Sequence, residues 1–231
     1  MLIIADHRIP QEAKEALGRY GKLLGLATEG ITYEAISGHP DIFLLPMGRT
    51  MVTAPNTPER YLDALHDEGV EVVSGEQPVG DKYPASSAYN AVWLPGLLIH
   101  NFRNTDSVIT RLADDDDLIH VDQGYTRCNL LALDQEHFIT SDEKVKRVLD
   151  NFGKDCLYVA PEGIILPGFR HGFFGGCCGI LRKEVFILGS LRHYREGLKV
   201  WQYLESLGFG IRELYDGPLF DGGSILFAGR D

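Results

Sequence analysis

Short apolar runs separated by polar turns dominate the chain, and their order repeats. Residues 2–5 form a first apolar strand. Pro10 suits the first turn of a helix in which Ala13, Ala16, Leu17 and Tyr20 keep helical spacing. A second strand is expected over residues 23–27. Beyond a loop with Gly30 and Gly38, strands are expected over 41–46 and, after a Gly48 turn, 51–53. Thr57-Pro58 caps and opens a helix carrying Tyr61, Leu62 and Leu65. Gly69 ends that helix before a strand over 70–73.

The order strand, strand, helix, strand then recurs. It runs through 90–95, 97–99, a helix around Val108, Ile109 and Leu112, and 118–121. It runs again through 129–133, 138–139, a helix capped by Ser141 and carrying Val145, Val148 and Leu149, and 156–159. A fourth pass takes 178–181, 185–188, a helix capped by Ser190 with Leu198, Trp201 and Leu204, and 211–214. The apolar run 224–228 stands alone at the C-terminus, and residues 2–27 supply what it lacks. The polar residue opening each first strand falls at Asp41, Asn90, Asn129, Cys178 and Ser224. The spacings are 49, 39, 49 and 46, and 48 on wrapping through the termini. A near-constant period with one unit split between the ends marks a closed circular array. The expectation is an α/β fold of five ββαβ units with pseudo-fivefold symmetry, forming one domain over residues 1–231.

Composition narrows the function. The formal charge of −11 argues against nucleic acid, which needs a basic face. No apolar run approaches the roughly 20 residues that cross a bilayer, and the N-terminus lacks the basic start and long apolar core of a signal peptide. The expected location is cytoplasmic, with no membrane or nucleic-acid partner. Asp114-Asp115-Asp116-Asp117 reads as a solvated turn, because the alternating pattern of a calcium loop is missing. Cys128, Cys156, Cys177 and Cys178 form no C-x-x-C pair, so free thiols are expected and a structural zinc site is not. Neither G-x-G-x-x-G after the first strand nor G-x-x-x-x-G-K-[ST] is present, and no cofactor or metal is implied.

Five ββαβ units in a chain of this length resemble the pentein propeller of the guanidino-group-modifying enzymes. These include arginine and agmatine deiminases, dimethylarginine dimethylaminohydrolases and amidinotransferases; a ribosome anti-association factor shares the fold without that chemistry. The resemblance covers the whole chain. It implies helices outside, first strands lining a central channel, and a substrate at one mouth. It also implies a Cys near the end of a Gly-rich run, assisted by a His and by carboxylates that hold a guanidinium. Asp221-Gly222-Gly223-Ser224-Ile225-Leu226 resembles the run that carries the family's C-terminal nucleophile, with Ser224 or Leu226 at the thiol's place. The family's His-x-Asp falls near Tyr125-Thr126-Arg127, where no His stands.

A rotated site is the reading that fits these departures. Gly175-Gly176-Cys177-Cys178 is a Gly-rich run ending in thiols one unit earlier, with His171 just upstream. Attack on a guanidinium carbon needs a thiolate, a proton carrier and carboxylates for the cation. Cys178 is the candidate nucleophile, Cys177 pointing to the opposite side; His171 is the candidate acid/base, with Asp122 beside it. Asp41, Asp81, Asn90, Asn129, Asp221 and Ser224, at or near the starts of first strands, are candidate substrate-binding groups. Phe173, Phe174 and Tyr125 could cage a cation or simply pack. Two functions stay open. One is a Cys-dependent hydrolase or transferase for a small guanidino or amidino compound. The other is a non-catalytic pentein that binds a small ligand or a protein partner. The oligomeric state is not legible.

Overall fold

The computed structural model describes residues 1–229. Fifteen strands pair into five three-stranded sheets among the described residues. They are β1 (Leu2–Asp6), β2 (Lys22–Leu26), β3 (Leu44–Met47), β4 (Thr50–Thr53), β5 (Glu71–Ser74), β6 (Val92–Leu94), β7 (Leu97–His100) and β8 (Asp117–His120). They continue as β9 (Leu130–Ala132), β10 (His137–Thr140), β11 (Asp155–Tyr158), β12 (Cys178–Leu181), β13 (Glu184–Ile187), β14 (Gly210–Glu213) and β15 (Leu226–Ala228). The helices are α1 (Gln11–Leu17), α2 (Pro40–Phe43), α3 (Glu59–Asp67), α4 (Ser107–Leu112), α5 (Thr126–Asn129), α6 (Glu143–Asn151) and α7 (Gly197–Ser206).

Each sheet follows one rule. The first strand pairs antiparallel with the second, and the second pairs parallel with the third. The parallel step requires a crossover, and the crossovers carry α1, α3, α4, α6 and α7. The fifth sheet joins the two ends of the chain, in the order β15-β1-β2, with Ile4 facing Leu226 and Leu2 facing Ala228. Leu2, Ile3 and Ile4 are wholly buried there. No helix among the described residues is long and apolar enough to cross a membrane.

The boundaries depart from the sequence reading where local hydrogen bonds compete. The strand expected from Asp41 begins only at Leu44, because Pro40 opens the four-residue turn α2. Thr57 does not cap α3: its hydroxyl has no partner, and Pro58 holds the N-cap position. Asp142, not Ser141, caps α6, accepting from the backbone N–H of Lys144 and Val145. Ser141 instead accepts from the N–H of Phe174. Ser190 caps a separate 3-10 turn, Leu191–His193, and α7 starts later, at Gly197. Gly69 and Gly208 follow α3 and α7 at φ 70° and 72°, the left-handed geometry expected of a helix stop. Of the acidic run, Asp116 is not merely solvated: it accepts from the Trp93 indole at 2.7 Å.

The ladders also correct the repeat's register. At the start of three of the first strands, Leu44 faces Thr53, Leu130 faces Thr140 and Cys178 faces Ile187. Cys178 therefore matches Leu130, and Cys177 is the counterpart of Asn129. Likewise Phe43, rather than Asp41, precedes Leu44. A one-residue slip exchanges the two faces of a strand.

Candidate functional site

Two of the helical turns that precede first strands build the site. α2 buries Asp41 completely, with His39 just before it at the N-cap. α5 buries Cys128 and Asn129. The Cys128 thiol donates to Asp41 Oδ2 at 3.1 Å, and Ser224 Oγ donates to the same oxygen at 2.8 Å. Asn90 clamps the thiol: its Oδ1 accepts from the Cys128 N–H, and its Nδ2 lies 3.3 Å from Sγ. That Nδ2 also donates to the Asp41 carbonyl. Four segments far apart in sequence, around Asp41, Asn90, Cys128 and Ser224, thus meet at one thiol.

The third wall is the Gly-rich run near the C-terminus. Asp221 is buried, its Oδ2 accepting from Phe173 N–H at 2.9 Å and its Oδ1 from Gly223 N–H at 3.1 Å. Desolvation pushes its pKa up to about 6, with the Asp41 charge adding to that, while His39 and the two N–H donors pull it down. A methyl group on Gly176 would overlap the Asp221 carboxylate, so only glycine leaves that group its place. Ser224 sits at φ 71°, where side chains are strained. Its hydrogen bond to Asp41 offsets that strain.

Part of this cluster faces a cavity of about 230 Å³. His39, Cys128 and Asp221 lie on its wall with His171 and Arg170. Tyr33, Tyr125, Phe169 and Phe173 supply its apolar rim. The two tyrosine hydroxyls meet at 3.1 Å, and Ser86 Oγ lies 2.6 Å from that of Tyr125. Burial raises both phenols, so they are neutral hydrogen-bonding groups here. Burial, followed by the nearby Asp41 and Asp221 charges, also pushes the Cys128 thiol well above its usual range. At rest the thiol is neutral. Several polar atoms are buried with no partner: both ring nitrogens of His39, Asp41 Oδ1, and both amide atoms of Asn129. The nearest carboxylate to His39, that of Asp6, is 4.0 Å away and beyond hydrogen-bonding reach.

The residues singled out from sequence separate into three places. Asp41, Asn90, Asp221 and Ser224 share the Cys128 cluster, and His171 lines the same cavity, its Nδ1 3.2 Å from the Gly172 carbonyl oxygen. Cys178 lines a different cavity of about 360 Å³, between β6, β9 and β12, with Arg127, Arg182 and Ser224. Burial raises the Cys178 thiol, and it does not meet His171. Asp122 and Asp81 belong to neither cavity. Their side chains are 72% and 81% exposed, the first near Arg103 and His120 and the second near Lys82. Cys177 donates to the Phe173 carbonyl and packs in the core with Phe174. Tyr125 and Phe173 do reach the cavity.

Sequence reasoning passed over His39 and Cys128. The usable signal was Gly38-His39-Pro40-Asp41 and Thr126-Arg127-Cys128-Asn129, polar runs placed just ahead of two first strands. Both are repeat junctions, where the units bring loops together.

A family model described as a family of unknown function (DUF6873) matches residues 4–226. No curated protein matches the sequence. Solved structures do resemble the fold. Agmatine deiminase of C. jejuni, a Cys-to-Ser form with substrate bound, is 11% identical, with a TM-score of 0.60 over 99% of this chain and 93% of that one. An amidinotransferase from Microseira wollei in the saxitoxin biosynthetic pathway is 12% identical, with a TM-score of 0.55 over 91% and 87%. DDAH from Pseudomonas aeruginosa, a Cys-to-Ser mutant complexed with citrulline, is 10% identical, with a TM-score of 0.51 over 96% and 92%. These neighbours are pentein-superfamily proteins, and at such identities the likeness is one of fold.

Proposed function

The chain belongs to this family of unknown function (DUF6873), and we propose that it is a closed pentein propeller that processes a small guanidino or amidino compound at Cys128. Closure is supported by a contact between every pair of neighbouring units. β3 touches β6, the β9 unit touches the Gly175–Cys177 turn, β12 touches β15, and α2 touches β1. The link between the second and third units is the Arg127 N–H donating to the Asn90 carbonyl. On this reading the whole chain is one domain.

The observation that carries the activity is the buried thiol held between Asn90 and Asp41 at the base of a small aromatic-rimmed cavity. A planar cation fits such a place. Its N–H groups would satisfy Asp41 Oδ1 and Asp221, and its face would lie near the aromatic rim. A bound cation next to Cys128 also favours the thiolate, and the orphaned imidazole of His39 takes the proton. The Cys128 sulfur then adds to the amidine carbon. The C–N bond breaks, and the amine leaves with the proton that His39 returns. In a hydrolase, water adds to the thiouronium carbon and the thiol is regenerated as the ureido product departs. In a transferase, a second amine takes the water's place. Cys178 has no part in this scheme.

Chloroacetamidine, which alkylates thiols next to a cation site, tests the reading. Stoichiometric labelling at Cys128, slowed by arginine or agmatine and absent in Cys128→Ser, is expected; so is formation of ureido product or free amine from one of a panel of guanidino compounds. Labelling confined to Cys178, or none protected by any guanidino compound, would overturn it. A binding protein without turnover is the competing reading, favoured by the 3% exposure of Cys128 and its raised thiol pKa. It predicts saturable protection with no product.

A further inference from the structure

We propose that His39, Asp41 and Cys128 form a binding site for a thiophilic divalent cation such as Zn²⁺, and that the metal and a cationic substrate compete for the same cavity floor. One ligand atom from each residue lies within 4.8 Å of the other two, and all three residues are buried. The donor set is imidazole nitrogen, carboxylate oxygen and thiolate sulfur, the mixture that zinc takes in preference to the all-oxygen shells of magnesium or calcium.

Burial without partners points independently to a missing occupant. Both nitrogens of His39 are inaccessible and unpaired, as is Asp41 Oδ1. Buried polar groups are nearly always satisfied, and a histidine with two orphaned nitrogens next to a thiol and a carboxylate is an exception that a ligand resolves. The Cys128 sulfur lies 3.1 Å from Asp41 Oδ2, and a slight widening of that gap to about 3.5 Å would set sulfur and oxygen as two ligands of one tetrahedral ion. His39 supplies the third ligand, a ring nitrogen within 4.8 Å of both other donor atoms. The fourth position opens on the cavity wall that His39 and Cys128 share. Metal binding replaces the thiol proton, which passes to solvent, and two anionic ligands balance a divalent charge.

The packing around the site also fits. Gly223, at φ 67°, presses directly against the His39 side chain, which any larger residue would displace. Asn90 and Ser224 hold Sγ and Asp41 from behind, the place that orienting groups occupy around metal ligands. Metal binding itself does not depend on the guanidino chemistry. Its consequence does, since a metal on Cys128 removes the nucleophile and repels a guanidinium.

Cobalt provides a readout that needs no turnover. Metal-stripped protein titrated with Co²⁺ should develop a sulfur-to-cobalt charge-transfer band and the ligand-field bands of a tetrahedral ion, saturating at one equivalent and displaced by Zn²⁺. Cys128→Ser should lose the charge-transfer band. His39→Ala should weaken binding by at least tenfold, while Cys178→Ser should bind as the parent does; circular dichroism confirms that each is folded. No band, or a band that survives Cys128→Ser or vanishes in Cys178→Ser, overturns the site. Turnover and chloroacetamidine protection are measured separately on the metal-free protein. Cobalt binding without guanidino recognition would sink the enzyme reading and leave the metal site standing, and the converse result would do the opposite.

Discussion

At the scale of single residues, the chain spends buried carboxylates on two unlike tasks. Asp106 is wholly structural. Its Oδ1 caps α4 through the Val108 N–H at 2.8 Å, and its Oδ2 accepts from the N–H groups of Glu76 and Gln77 and from the Tyr89 hydroxyl. Every polar neighbour is satisfied. Asp106→Ala leaves the three N–H donors unpaired, while the Tyr89 hydroxyl keeps the Gln77 carbonyl, and is expected to cost roughly 3–4 kcal/mol, read as a lower urea midpoint with unchanged slope. Asp106→Asn should fall between the two, because its amide oxygen can accept from one side only. Asp41 is the opposite case: it retains an unpartnered oxygen beside a thiol and a histidine. That contrast was not legible in sequence. Asp41 and Asp221 could be named from their places in the repeat, but Cys128 and His39 are 89 positions apart, and no spacing rule joins them. The Cys177-Cys178 pair was conspicuous for a local reason, the glycines before it. Of those glycines, Gly176 leaves room for the Asp221 carboxylate and Gly175 lies against the backbone of Arg127 and Cys128.

At the scale of elements, the strands were readable and the helix starts were not. A run such as Val185-Phe186-Ile187 has one stable place, inside a sheet, and all three residues are wholly buried. A cap depends on which of two neighbouring side chains wins a backbone donor, as Asp142 wins over Ser141. One residue at a strand end couples an element to pH. His100 closes β7, buried, its Nδ1 2.7 Å from Thr105 Oγ1 and its Nε2 2.9 Å from the Gly124 carbonyl oxygen. Desolvation lowers its pKa from 6.5 to about 4, against the raising effect of the Gly124 and Ser87 backbones and with a small push from His120. The folded pKa lies below the unfolded one, so between them the unfolded chain binds more protons. His100 therefore weakens the fold as pH falls from about 6.5 to 4, by at most about 3 kcal/mol, with no further loss below that window. Urea midpoints across pH 4–7 should show this slope, and His100→Gln should flatten it. An unchanged slope in that variant would remove His100 as the cause.

At the scale of the molecule, the split sheet makes the ends of the chain part of its architecture. The period in the sequence exposed this arrangement, because a lone strand at one end and a strand-helix-strand at the other complete one unit. The period did not fix the register, since polar residues cluster within a few positions of each strand start and Asp41 and Cys178 were drawn into the same series as Asn129. Topology is therefore more legible than the aim of a side chain. Two rearranged chains test whether the ring is a closed structure. Deleting residues 226–231 removes β15 and strips one of the two strand partners from Leu2, Ile3 and Ile4, with loss of the buried Leu226. The loss of that side chain's burial and of the ladder hydrogen bonds is expected to cost at least about 3 kcal/mol. A circular permutant should behave differently. Opening the chain between Asp114 and Asp115, which are exposed in a turn, and joining the ends with a short Gly-Ser linker breaks no sheet. The permutant is expected to unfold cooperatively with nearly the parent's midpoint, and the deletion variant at a much lower one. A permutant that fails to fold, or a deletion that leaves the midpoint unchanged, would show that β15-β1-β2 does not close the ring.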